Sequence, residues 1–296
     1  MTKPKLFSRR DAAKTLGGGA LTAGIAASLV SRLDAADETT GGMKGNINHS
    51  VCKWCYKDIP LEDFCKAGKE IGLQSIELLG PDEWPVLKQH GMTCAMASGA
   101  GFGIGKGWNR VEHHEGLLES YREVIPKVAA AGLTNLICFS GNRKGLDDEE
   151  GIKNCSEGLK KLMGLAEKHK VTVVMELLNS KVNHPDYQCD KTPWGAALCE
   201  AVGSENFKLL YDIYHMQIME GDLVATIKKY QSCIAHYHTG GVPGRNEIDD
   251  TQEINYPAVM KAILDTGYKG FVAQEFIPKR EDKLASLKQG VTICDV

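Results

Sequence analysis

From residue 46 to the C-terminus the chain repeats one pattern: a short apolar run, a polar turn, then a longer amphipathic stretch. The apolar runs span 46–52, 75–79, 92–97, 135–139, 171–176, 208–212, 234–238 and 270–275, each the length of one buried strand. Stretches 61–71, 84–90, 111–131, 149–169, 193–202, 223–230 and 257–266 place apolar residues on one helical face, and one more helix is expected after Glu281. Pro126 marks a kink or boundary in the third of these helices. Strands that alternate with helices run parallel, because each helix carries the chain back to the same end of the sheet. Eight such units, at roughly one per 30 residues, predict an α/β fold of the (β/α)8 TIM barrel type, as a single domain. The rival, an open doubly wound sheet, usually carries a glycine fingerprint at its first strand–helix turn, and this chain has none. Residues 99–107 hold five glycines but no following Lys-Ser/Thr, so they read as a flexible loop at the site rather than a phosphate cradle.

In such a barrel, chemistry collects at the C-terminal ends of the strands. From the fifth strand onward those ends hold Glu176, Asp212, His238 and Glu275, spaced by 36, 26 and 37 residues, each close to one strand–helix unit. Four consecutive strands would therefore aim one ligand each at a common point. Three carboxylates and an imidazole suit a divalent cation, with Mn²⁺ or Mg²⁺ favoured and Zn²⁺ or Co²⁺ compatible. Taken singly, each residue has a structural reading: Asp212 as a cap on the following turn, His215 as packing beside Tyr214. Taken together, three carboxylates buried without a cation would be very costly. Glu77 closes the second strand and reads equally as a pocket residue or a structural one. Trp54, Tyr56 and Phe102 read as apolar walls of the site or as core.

Charge narrows the partners. The chain carries 35 basic and 38 acidic side chains, with no basic run beyond the N-terminus, so no nucleic-acid partner is indicated. Ser8-Arg9-Arg10 precedes a Gly/Ala/Leu-rich stretch over 16–30, which reads as a twin-arginine export signal occupying residues 1–36. That stretch is too short and glycine-rich for a membrane span. The expected layout is signal 1–36, linker 37–45 and barrel 46–296. The expected product is a periplasmic protein without stable membrane insertion, anchored only if the signal is retained. Removing 1–36 takes away six basic and two acidic residues, leaving 29 and 36, a net of −7. All ten cysteines follow the signal; Cys94, Cys138 and Cys233 lie in apolar stretches and read as small buried hydrophobes. Cys52-Lys-Trp-Cys55 has no second pair at zinc-site spacing, so a structural zinc is not expected.

Several longer motifs carry a resemblance. Met175-Glu-Leu-Leu-Asn179, Leu209-Leu-Tyr-Asp-Ile-Tyr-His-Met-Gln217 followed by Glu220-Gly-Asp-Leu223, Val242-Pro-Gly-Arg-Asn-Glu247, Glu253-Ile-Asn-Tyr-Pro257 and Gln274-Glu-Phe-Ile-Pro-Lys279 resemble those of hydroxypyruvate isomerases. These belong to the xylose-isomerase-like sugar isomerase/epimerase barrels. The resemblance spans about residues 46–280 and is strongest from Glu176 onward. It implies that Glu176, Asp212, His238 and Glu275 hold the divalent metal, that the two glutamates form an acid/base pair, and that His215 and Arg245 contact substrate. It also implies a small hydroxy-keto acid or sugar as substrate, with hydroxypyruvate to tartronate semialdehyde as the leading conversion. Two departures point elsewhere: His238 stands where hydroxypyruvate isomerases often carry Gln, as ketose epimerases have it, and Val182 stands where those epimerases have a further acidic residue.

Moving a carbonyl to the adjacent carbon needs a proton removed from the hydroxyl-bearing carbon and one returned to the former carbonyl carbon. Glu275 is expected as the base and Glu176 as its partner, with Arg245 pairing a substrate carboxylate through its planar fork. The alternatives are a ketose 3-epimerase or a keto-inositol dehydratase on the same scaffold, a metal-dependent endonuclease, which the net charge disfavours, and a non-catalytic sugar-binding barrel. Barrels of this kind are often dimers or tetramers, so a homo-oligomer is compatible with the sequence.

Overall fold

The structure, a computed structural model, describes residues 43–296. The expected export signal over 1–36 and most of the expected linker lie outside the described residues. Among those residues seven strands form one parallel sheet: β1 (Asn48–Cys52), β2 (Ser75–Glu77), β3 (Asn135–Cys138), β4 (Thr172–Glu176), β5 (Phe207–Asp212), β6 (Ile234–Thr239) and β7 (Phe271–Gln274). Their order is β2-β1-β7-β6-β5-β4-β3, so the last strand pairs with the first and the sheet curls on itself. The strands are almost wholly buried, which suits a parallel sheet covered on its outer face by helices.

The third expected strand, 92–97, is not continuous. It nevertheless fills the gap between β2 and β3 through single parallel bridges, Ser75 to Thr93, Leu79 to Ala97 and Ala97 to Leu136. Side chains interrupt the ladder here. The Ala95 N–H donates to Ser75 Oγ at 2.8 Å instead of a carbonyl, and the Ala95 carbonyl accepts from Asn135 Nδ2 at 3.0 Å. The barrel closes, but at this seam it closes partly through side-chain hydrogen bonds.

Among the described residues nine α-helices surround the strands: α1 (Leu61–Ile71), α2 (Trp84–Gln89), α3 (His114–Ala130), α4 (Asp148–His169), α5 (Thr192–Val202), α6 (Ile213–Met219), α7 (Leu223–Tyr230), α8 (Tyr256–Asp265) and α9 (Lys283–Cys294). Asp147 caps α4 by accepting from the Glu150 N–H at 2.8 Å, and Asp282 caps α9 in the same way. Pro126 does not end α3, which runs on to Ala130. Its ring leaves the carbonyl of exposed Arg122 without an intrahelical partner, and solvent can take that role. The segment after Asp212, which none of the expected helical stretches covers, is helix α6. Asp212 itself is its N-cap, accepting from the His215 N–H at 3.0 Å.

Side chains alternate in and out along each strand, so the barrel interior can be read from one parity. Met96, Ile137, Val174 and Leu210 form a separate apolar cluster, which fills the interior on the side of β3, β4 and β5. On the opposite side the inward positions carry Ser50, Glu77, His236 and His238, all fully buried. The interior is thus half apolar plug and half polar network, and the polar half runs up to the strand ends where chemistry is expected. Among the cysteines, Cys94 and Cys138 are buried as expected, but Cys233 is only partly so, because it sits in the turn before β6. Burial does not insulate it. A hydrogen bond from Cys199 draws its thiol down to about 6. No described helix is long and apolar enough to cross a membrane.

Candidate active site

Strand geometry brings the four expected ligands together. Glu176 ends β4, Asp212 ends β5, His238 lies one residue before the end of β6, and Glu275 follows β7. One ligand atom from each lies within 4.8 Å of the others, and all four residues are buried. His238 Nδ1 is 2.7 Å from Glu275 Oε2 and 3.4 Å from Glu176 Oε1. Glu176 Oε1 is buried with no hydrogen-bond partner among the described residues. Three carboxylates, one imidazole and an unpartnered buried oxygen fit a divalent cation by the chemistry of the donor set.

Arg245, expected to point at a substrate, has its guanidinium within this cluster. Nη2 lies 3.2 Å from Asp212 Oδ2 and 2.5 Å from Glu275 Oε2, and Nε donates to the Glu275 backbone carbonyl at 3.1 Å. The guanidinium carbon stands 5.3 Å from the ring centres of both Trp54 and Tyr214, a cation–π position on each side. Arg245 does not pair with its acidic loop neighbours: Glu247 accepts from the Lys279 and Arg280 N–H groups, and Asp249 pairs with Arg280. His215 is fully buried. Its Nδ1 accepts from the Asn179 N–H at 3.0 Å, and Nε2 lies 3.6 Å from Asp212 Oδ2 without a hydrogen bond.

Beside the cluster opens a cavity of about 410 Å³. Glu176, Glu275, Arg245 and His184 give it a polar end, and Trp54 with Ile104 are among its apolar walls. Trp54 also donates its indole N–H to Glu275 Oε1 at 2.7 Å. Ile104 comes from the glycine-rich 99–107 segment, which therefore does lie at the site. Gly107 is required there, since a Cβ would meet the Phe139 carbonyl oxygen and the Gly141 nitrogen at 2.3 Å. Tyr56 is core, stacked on Phe64 with ring centres 5.0 Å apart, and Phe102 is exposed over Gly116. Two residues at or beneath the site, His184 and His236, went unassigned in the sequence reading, which takes Glu77 as either a pocket residue or a structural one. His184 lies in a loop with no periodic signal. His236 sits two residues before His238, hence on the same strand face, and Glu77 is a strand end like the other four.

The same surroundings split the acidities. Burial pushes the Glu275 carboxyl up, yet Arg245 and His238 together hold it well below the usual carboxylate range. Burial and the nearby Glu275 charge raise Glu176. Asp212 is pushed up to about 8, because burial, with Glu275 and Glu176 close by, outweighs Arg245. A ligand must shed its proton to bind a cation, so affinity for Mn²⁺ should rise with pH by about tenfold or more per unit up to about pH 8 and then level off. Calorimetric titration between pH 6 and 9 checks this; an affinity flat from pH 6 to 8 would contradict it.

With this geometry in view, the sequence matches the xylose isomerase-like TIM barrel family over residues 66–292. The chain belongs to that family. A hydroxypyruvate isomerase from Escherichia coli is 31% identical over 151 residues, covering 51% of this chain and 58% of that one. A 2-oxo-tetronate isomerase from Pectobacterium atrosepticum is 24% identical over 242 residues, 77% of this chain and 92% of its own. Among solved structures, an AP endonuclease, family 2, from Brucella melitensis superposes with a TM-score of 0.71 at 24% identity, covering 83% of this chain and 96% of that one. The last likeness is one of fold.

Proposed function

We propose that this member of the xylose isomerase-like family is a divalent-metal-dependent isomerase that moves a carbonyl along a small hydroxy-keto acid or ketose, with hydroxypyruvate to tartronate semialdehyde as the leading conversion. The observation that carries the reading is the pair Glu176 and Glu275, two buried glutamates of opposed acidity that share one cavity and one ligand cluster. Relatives named hydroxypyruvate isomerase and 2-oxo-tetronate isomerase support it.

Glu275, kept ionised by Arg245 and His238, removes the proton from the hydroxyl-bearing carbon. Glu176, whose surroundings favour the protonated form, returns a proton to the neighbouring carbon, the hydroxyl proton passes from one substrate oxygen to the other, and both glutamates regain their starting protonation by exchange with solvent. A divalent cation held by Glu176, Asp212, His238 and Glu275 would acidify the carbon-bound proton and stabilise the negative charge that develops on the substrate oxygens. Arg245 holds Glu275 at its carboxylate and at its backbone carbonyl and is the nearest cation for a substrate carboxylate, while His184 at the polar end of the cavity suits a contact with a substrate oxygen. His215 holds Asp212 and the Asn179 loop in register, with its Nε2 available to a group entering beside Asp212. The apolar walls keep water from the reacting carbons. Export by the twin-arginine route belongs to the same proposal and rests on the N-terminal sequence; fractionation of cells making the full chain checks it.

The assay is direct. Purified protein with Mn²⁺ is incubated separately with hydroxypyruvate, 2-oxo-tetronate, ketohexoses and a keto-inositol, and products are followed by ¹³C NMR and mass. Carbonyl migration at constant mass is expected. Inversion at one carbon would favour the epimerase reading, and loss of 18 mass units the dehydratase.

A further inference from the structure

Below the four expected ligands lies a second cluster to which the proposed mechanism gives no part. Glu77 on β2 is fully buried. Its Oε1 is 2.7 Å from His236 Nε2 and 2.8 Å from His238 Nε2, and its Oε2 accepts from the Ser50 hydroxyl at 2.6 Å. A carboxylate only accepts, so each imidazole turns an Nε2–H toward it. The two rings stand nearly perpendicular, 83° apart with centres at 5.2 Å, so His236 wedges His238 from below while sharing its acceptor.

We propose that Glu77 is a positioning residue for the metal centre: by taking the Nε2–H of His238, with His236 as buttress, it fixes the ring so that Nδ1 faces Glu176 and Glu275 as the ligand atom. This rests on the divalent-cation reading of the four strand ends. Both nitrogens of His238 meet buried carboxylates, and the two edges differ in which ones. Nε2 meets Glu77 Oε1, an oxygen shared with His236 on the far side from the cavity. Nδ1 lies 2.7 Å from Glu275 Oε2 and 3.4 Å from Glu176 Oε1, the two oxygens that would share a cation with it. Without Glu77 the ring would be free to flip or to exchange tautomer, and one ligand in four would lose its aim. A carboxylate behind a ligand imidazole also raises its basicity, and loss of such partners typically weakens metal binding about 10- to 100-fold. Glu77, His236 and His238 also lie close enough to be read as ligands of a cation of their own. The hydrogen-bond distances and the full use of both Glu77 oxygens favour the positioning role instead.

The test uses the full chain stripped of metal and titrated with Mn²⁺ by calorimetry. Glu77→Gln is the informative variant, because its amide oxygen can accept both imidazole N–H groups and its amide nitrogen can donate to Ser50 Oγ. Every hydrogen bond survives and only the charge goes. The proposal predicts one Mn²⁺ per wild-type chain, about 10-fold weaker binding in Glu77→Gln, and up to about 100-fold in Glu77→Ala. Thermal melts run alongside separate folding from binding, and Glu77→Gln decides should Glu77→Ala not fold. In Zn²⁺-loaded protein, ¹⁵N NMR of the histidine rings should show the Nε2–H form of His238 in wild type and its loss in Glu77→Ala. Unchanged Mn²⁺ affinity in Glu77→Ala, whatever its melting temperature, would overturn the role of Glu77 alone, and unchanged affinity in Glu77→Gln would overturn the part played by its charge. Two Mn²⁺ per chain would overturn it in favour of a second ligand set. No Mn²⁺ binding by wild type would overturn the divalent reading of the site and this inference with it.

Discussion

Replacing Glu275 by Gln should lower kcat on the active substrate by about 10³-fold, within the range ascribed to a positioned general base, with a smaller change in KM. Gln keeps the volume but removes the charge that Arg245, His238 and Trp54 all address. It also introduces a mismatch. Oε1 accepts from an indole N–H and Oε2 faces two further donors, so an amide nitrogen at either place opposes a donor. The expected structural cost is about 1–3 kcal/mol, small enough to leave the barrel folded. Steady-state kinetics at saturating Mn²⁺, with a thermal melt of the same preparation, measure both. A kcat within a few-fold of wild type would remove Glu275 from the base role.

Arg245→Met should cost more stability than any other single change in the site. The side chain is buried, bonded to two carboxylates and flanked by two aromatic rings. Removing one partner of such a buried arrangement typically costs about 3–5 kcal/mol, because the remaining charges lose their counterion. For a barrel of this size that is a fall in melting temperature of about 10 °C. The pH dependence has a definite sign. Asp212 already has a folded-state acidity weakened to about 8, and loss of Arg245 raises it further. A carboxyl whose folded pKa lies above its unfolded value contributes stability at low pH that is lost as pH rises through that interval. Wild type and variant lose this stability in parallel up to about pH 8, and only the variant goes on losing it above, so its deficit should be larger at about pH 9.5 than at about pH 7. Mn²⁺ supplies positive charge to the same carboxylates, so adding it should narrow the gap. A deficit independent of both pH and Mn²⁺ would mean that Arg245 acts through packing alone.

The sequence reading located the strands well because parallel strands buried on both faces appear as unbroken apolar runs, such as Val173 to Met175 or Leu209 to Tyr211. It located the four ligands because a polar residue that ends such a run is conspicuous. Three kinds of feature escaped it. The segment 92–97 has a strand's composition, yet Ser75 and Asn135 take its hydrogen bonds with side chains, which no apolar pattern reports. Helix α6 follows β5 without a turn residue, since Asp212 serves as strand end, cap and candidate ligand at once. Arg245 approaches Glu275 and Asp212 only because the loop after β6 folds back over the barrel mouth, a contact across 33 residues that spacing cannot predict. Glu77 is the instructive case. Reading strand ends from the first strand, rather than from the fifth, places it beneath His238.

The central claim is proton transfer by two glutamates at a divalent site, and one measurement addresses it most directly. Metal-free and Mn²⁺-loaded protein are each incubated with hydroxypyruvate in D₂O, and the substrate and product pools are followed by NMR and mass after the protein and metal are removed. The account predicts deuterium at the reacting carbon together with carbonyl migration in the loaded sample, and neither in the metal-free one. Carbonyl migration at an equal rate without metal, or no deuterium and no migration with hydroxypyruvate and 2-oxo-tetronate alike, would contradict it.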